Sequence, residues 1–120
     1  GLEGVQRSVD SLGGRIDKSL SLFVRDSTRD NARLALETMS LVVNNIRQHP
    51  SDQKYKKIPL KNKKFSKTIG RFPKAVDALK TMGFGFDQTK NYLILKRNDL
   101  ALLWIAKDTI ERHMESLTTK

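Results

Sequence analysis

The chain has 120 residues, 38% of them hydrophobic and 30% charged, enough for one modest core and too apolar to be disordered. It has no cysteine, which excludes disulfides, thiolate metal sites and cysteine nucleophiles and suits a reducing compartment. The net charge of +10 is uneven: residues 1–53 hold seven basic and seven acidic side chains, residues 54–74 nine basic and none acidic, and residues 75–120 seven basic and six acidic. A localised site for an anionic partner follows.

The predicted elements begin with a helix through Val5, Val9, Leu12, Ile16, Leu20 and Phe23, spaced at three and four residues. Gly13-Gly14 inside it costs about 1 kcal/mol per glycine, so a bend or frayed stretch is expected there. Residues 1–26 are read as an N-terminal helical extension, and residues 27–120 as the domain proper. A second helix is expected after DSTRDN, with Ser27 and Asp30 in the pattern of a capping box. Ala32, Ala35, Met39, Val42, Val43 and Ile46 form its apolar stripe, and His49-Pro50 ends it.

Ile58-Pro59-Leu60 fits only an edge strand, because proline cannot donate to a sheet. Asn62 heads a short helix with Phe65, Ile69 and Phe72 on one face. Pro73 opens another helix and Gly83 closes it. GFGF (83–86) reads as a turn leading to the strand Tyr92–Leu95. Asn98 or Asp99 caps a final helix whose stripe is Leu100, Leu103, Trp104, Ile110, Met114 and Leu117. The expected class is α+β: about five helices with a small antiparallel sheet of two or three strands.

Catalytic chemistry finds little support. His49 and His113 lie far apart with no partner at metal-ligand spacing, and both read as solvent-exposed. Asp108, Glu111 and Glu115 interleave with Lys107 and Arg112, the pattern of surface ion pairs. GFGF lacks the spacing and helix context of a phosphate loop. No catalytic residue, cofactor or metal is expected. No apolar run approaches the roughly 18 residues that would span a bilayer.

KYKKIPLKNKKF (54–65) therefore carries the functional signal, and it allows two readings. Its lysines could neutralise phosphates, making a basic nucleic-acid-binding module of the Lys54–Lys74 cluster. Phe65 and Phe72 look more like core than stacking platforms, however, and no nucleic-acid motif is present. Alternatively the lysines rim a socket for an acidic peptide, lined by Tyr55 and Ile58. Asn45 and Asn62 would then offer amide donors and acceptors to the peptide backbone, although Asn62 could equally cap a helix and Asn45 could simply be exposed.

The run NNIRQHPSDQKYKKIPLKNKKF, followed by RFPKAVDALKTMGF, resembles the PUB (or PUG) domain over roughly residues 32–105. That domain occurs in cytosolic peptide:N-glycanase, UBX-domain proteins and a linear-ubiquitin ligase. The resemblance implies a non-catalytic adaptor that docks the acidic, leucine-aromatic C-terminal tail of a valosin-containing-protein-type AAA ATPase in ubiquitin-dependent quality control. It maps Asn45, Tyr55, Ile58 and Asn62 onto the tail groove, Phe65 onto a supporting aromatic and Lys54 onto a flanking cation. Pro59 stands where many members carry a basic residue, a role Lys61 and Lys63 could fill from neighbouring positions. A monomeric domain in the cytoplasm, or the nucleus, is the accompanying expectation.

Overall fold

The computed structural model describes residues 2–118, with side chains from residue 11 onward. The first helix, α1 (Leu2–Arg25), runs without a break through Gly13-Gly14. Burial of Ile16, Leu20 and Phe23 outweighs the glycine cost, since each such side chain contributes about 1.5–3 kcal/mol. Gly13 also serves packing, because a Cβ there would stand 3.3 Å from Ile105 Cγ2 of the last helix.

The second helix, α2 (Arg29–Gln48), is capped by Thr28, whose hydroxyl accepts the Asn31 N–H at 3.1 Å. The expected Ser27–Asp30 box does not form. Ser27 Oγ instead donates to the Phe23 carbonyl at 2.6 Å, so this serine closes α1 while its neighbour opens α2. The helix ends where the His49 N–H donates to the Asn45 carbonyl at 3.0 Å, just before Pro50.

A 3₁₀ turn (Gln53–Lys56) leads into β1 (Lys57–Pro59). Next come α3 (Lys63–Phe65), a π turn over Ser66–Gly70, and α4 (Pro73–Thr81). The strands β2 (Phe84–Phe86) and β3 (Tyr92–Leu95) precede α5 (Leu100–Thr118). The antiparallel sheet has the order β1-β3-β2, so Pro59 does lie on an edge strand. GFGF is not only a turn. Gly83, at φ 110°, makes the turn, and residues 84–86 form β2 with Gly85 opposite Ile94.

The core joins Ile16, Leu20 and Phe23 of α1 to Leu36, Met39, Val43 and Ile46 of α2. Phe65, Ile69, Leu79, Leu93, Leu103 and Ile110 complete it. Asp99 caps α5 by accepting the Leu102 N–H at 3.1 Å, as one of the two expected caps. The face that α5 buries differs from the expected stripe. Leu102, Leu103, Ala106 and Ile110 turn inward, while Leu100 and Trp104 are 56% and 57% exposed. ALLWIA is apolar all round, so periodicity could not choose its inner side.

His113 is not solvent-exposed as the sequence suggested. It is half-buried, with Nε2 2.8 Å from Asp17 Oδ1 on α1. Among the described residues no helix is long and apolar enough to cross a membrane.

Candidate functional site

Between α2 on one side and the 3₁₀ turn, β1 and α3 on the other lies a groove of about 210 Å³. Asn45, Lys54, Tyr55, Ile58, Asn62 and Phe65 all line it. Residues separated by as much as 20 positions meet there because the sharp stop at His49-Pro50 folds the chain back beside α2. Phe65, 2% exposed, belongs to the core beneath the groove, while Tyr55 and Ile58 are half-buried in its wall.

Each polar group has a definable state. The Asn62 Oδ1 accepts the Phe65 N–H at 2.9 Å and caps α3, so the helix-cap reading holds. That bond uses the oxygen and leaves the amide NH₂ for a ligand. Asn45 is half-buried, and among the described residues its side-chain amide has no protein partner. The Tyr55 ring is held from outside: His49 stacks on it with centroids 4.8 Å apart and planes 21° from parallel. Lys54 Nζ lies 5.1 Å from the same ring. His49 is thus exposed, as expected, and also in contact with the groove wall.

Two predicted contributors, Lys61 and Lys63, do not line the groove and stand exposed beside it. One residue further along α3, helical rotation directs Lys64 to the rim instead. Lys57 and Pro59 also line it, with Thr38, Leu41 and Val42 of α2. The sequence reading missed Thr38, Leu41, Val42, Lys57 and Lys64, while the resemblance had already set Pro59 at a position facing the tail. Leu41, 46% exposed, left one trace in the sequence: an apolar residue outside the core stripe of its helix.

The nine cations of residues 54–74 are not equivalent. Lys56 is buried, its Nζ donating to the Pro50 carbonyl at 2.7 Å. Lys74 donates to Asp26, and that hydrogen bond holds the Asp26 carboxyl below its ordinary range. Lys54 has only a loose exposed pairing with Asp52 at 3.8 Å. The others, among them Lys57 and Lys64 on the rim, have no carboxylate within pairing distance among the described residues. The site is therefore an apolar slot with amide donors, bordered by unneutralised positive charge. It is suited to holding a short acidic segment by its backbone and one or two apolar side chains.

A larger hollow of about 450 Å³ lies along α5, bordered by Asp108, Glu111 and Glu115. One helix alone lines it, and two of its three acids pair with basic neighbours, Lys107 to Glu111 at 3.0 Å and Arg112 to Asp108 at 3.4 Å. These are the surface ion pairs expected from their spacing. Among the described residues no group of three histidines or carboxylates could hold a metal.

Comparison with known proteins bears on the same region. The profile of the PUB domain matches residues 29–108, which include the whole groove. UBX domain-containing protein 6 of Homo sapiens is 24% identical over 106 residues, covering 82% of this chain and 23% of that protein. The protein of the same name from Mus musculus is 34% identical over 77 residues, covering 64% of this chain and 17% of that protein. The chain thus spans less than a quarter of the length of these curated relatives.

Proposed function

The chain belongs to the PUB domain family, adaptor modules associated with valosin-containing-protein-type AAA ATPases, and from that premise we propose that its groove docks the C-terminal tail of such an ATPase. The tail is acidic and ends in a leucine-aromatic pair. Its apolar side chains would enter between Tyr55 and Ile58 above Phe65, with Asn45 and Asn62 donating to the peptide backbone. Lys54, Lys57 and Lys64 would draw in its acidic residues. The domain would act without catalysis, as a monomer in the cytoplasm, bringing its parent protein to the ATPase.

One observation carries this reading: an unpartnered amide (Asn45), a braced aromatic (Tyr55) and a half-used amide (Asn62) face one basic-rimmed slot. Isothermal calorimetry with an eight-residue acidic tail peptide tests it. Wild type is expected to bind at about micromolar strength, about −8 kcal/mol. Tyr55→Ala and Asn45→Ala should each weaken binding by about tenfold, the effect of leaving an anchor or a backbone group without its partner. Binding equal to wild type in both variants overturns the assignment. A labelled single-stranded oligonucleotide serves as the control. Tight binding of the oligonucleotide, with a log–log salt slope of about −0.7 per phosphate contacted, would favour the nucleic-acid reading instead.

A further inference from the structure

The groove leaves one apolar feature of the molecule unexplained. Leu100 and Trp104, one turn apart on α5, are both more than half exposed, and with Arg47 of α2 they line a separate hollow of about 280 Å³. Tryptophan and arginine are both among the residue types most enriched at the hot spots of binding interfaces. Arg47 is half-buried and has no carboxylate partner among the described residues; its guanidinium donates to Asn44 Oδ1 at 3.4 Å. Asn44 in turn donates to Ser40 Oγ at 3.2 Å, so Ser40, Asn44 and Arg47 form a braced polar row along α2. This guanidinium is held in place beside bare apolar surface and lacks an anion.

We propose that the Arg47–Leu100–Trp104 hollow is a second docking site, for a partner segment that presents a bulky apolar residue and a carboxylate together. The apolar residue covers Trp104 and Leu100, and the carboxylate pairs with Arg47. Charge selects an acidic occupant. Area argues against a second copy of this chain, because two half-exposed side chains fall far short of the roughly 800 Å² per partner that a stable dimer buries. Arg47 is nine positions beyond Thr38, two and a half helical turns, so the hollow and the groove lie on opposite flanks of α2. Both can be filled at once, and the second site does not depend on the identity of the groove's occupant.

Trp104 is the only tryptophan, so its emission reports directly on this surface. Random 16-residue peptides displayed on phage are selected on the wild-type protein, with depletion on Trp104→Ser. Synthetic versions of the enriched peptides are then titrated while Trp104 fluorescence is read. Enriched peptides should share a bulky apolar residue and an acid at a common spacing, shift the emission to the blue and saturate. Arg47→Glu should weaken them by at least about tenfold, and replacing the peptide's acid with lysine should restore binding to that variant. Saturating the groove with tail peptide should leave these titrations unchanged. No Trp104-dependent enrichment, or peptides whose binding ignores the charge reversal, overturns the proposal. So does a blue shift that follows protein concentration alone, which would identify a second copy as the occupant.

Discussion

Asn62 shows how one side chain can serve fold and binding through different atoms. Its oxygen caps α3 and its amide nitrogen remains for the peptide, so substitutions can separate the two roles. Asn62→Asp keeps the cap acceptor but removes the donor and places a negative charge against an acidic tail. Stability by urea unfolding should therefore stay near wild type, while calorimetry shows binding weakened by about tenfold or more. Asn62→Ala should lose both, with about 1 kcal/mol of stability gone with the cap. His49 offers a second test at this scale. It lies outside the tail's reach in the proposed pose but braces Tyr55 by stacking. His49→Ala should weaken the tail a few-fold by loosening that ring, and His49→Phe should restore affinity because a flat aromatic face is what the contact needs. Equal affinities across all three proteins would show that Tyr55 needs no brace. Half of the groove lining was legible residue by residue, since Asn45, Tyr55, Ile58 and Asn62, with Lys54 and Phe65, stood at recognisable spacings in and around a basic run. Lys61 and Lys63 stand beside the groove and Lys64 lines it; charge counting carries no direction, and only the rotation of α3 decides which lysine faces the slot.

Elements were legible where one local rule dominated. Pro59 forced an edge strand, and His49-Pro50 ended α2. They were illegible where tertiary packing decided. β2 hid inside GFGF because two glycines in four residues read as a turn, whereas Phe84 is buried and Gly85 simply pairs with Ile94 across the sheet. The inner face of α5 could not be chosen from a segment apolar on every side. The continuity of α1 through Gly13-Gly14 belongs to the same class, and it gives a sharp contrast. At Gly14 an added Cβ meets nothing within 4 Å, so Gly14→Ala should stabilise the protein by about 0.5–1 kcal/mol through helix propensity. At Gly13 the same methyl would press on Ile105 Cγ2 at 3.3 Å. The propensity gain there should be cancelled or reversed by overpacking between α1 and α5. Thermal unfolding followed by circular dichroism would separate the two. A higher melting temperature in both variants would mean that α5 yields freely to the added carbon.

At the scale of the molecule, the match to the PUB domain begins at residue 29, yet the core does not. Ile16, Leu20 and Phe23 of α1 are 0%, 0% and 1% exposed and join the same cluster as α2, α4 and α5. Phe23 also packs its ring 5.7 Å from that of Phe72, beside the π turn. Removing a buried side chain of this size costs about 2–5 kcal/mol, so losing all three is comparable with the entire stability of a small domain, about 5–15 kcal/mol. A chain of residues 27–120 would keep every groove residue in sequence while stripping one wall from the core that holds α2 and α3 in register. It should retain much of its helical far-ultraviolet signal, lose near-ultraviolet ellipticity and cooperative melting, and bind the tail peptide far more weakly than the full chain. His113 adds a contact on the same interface, since its partner Asp17 departs with α1. Cooperative unfolding of 27–120 at the full chain's temperature, with tail affinity intact, would show that α1 rests on the core without completing it. The opposite result would make α1 part of the binding unit, although none of its described side chains lines the groove.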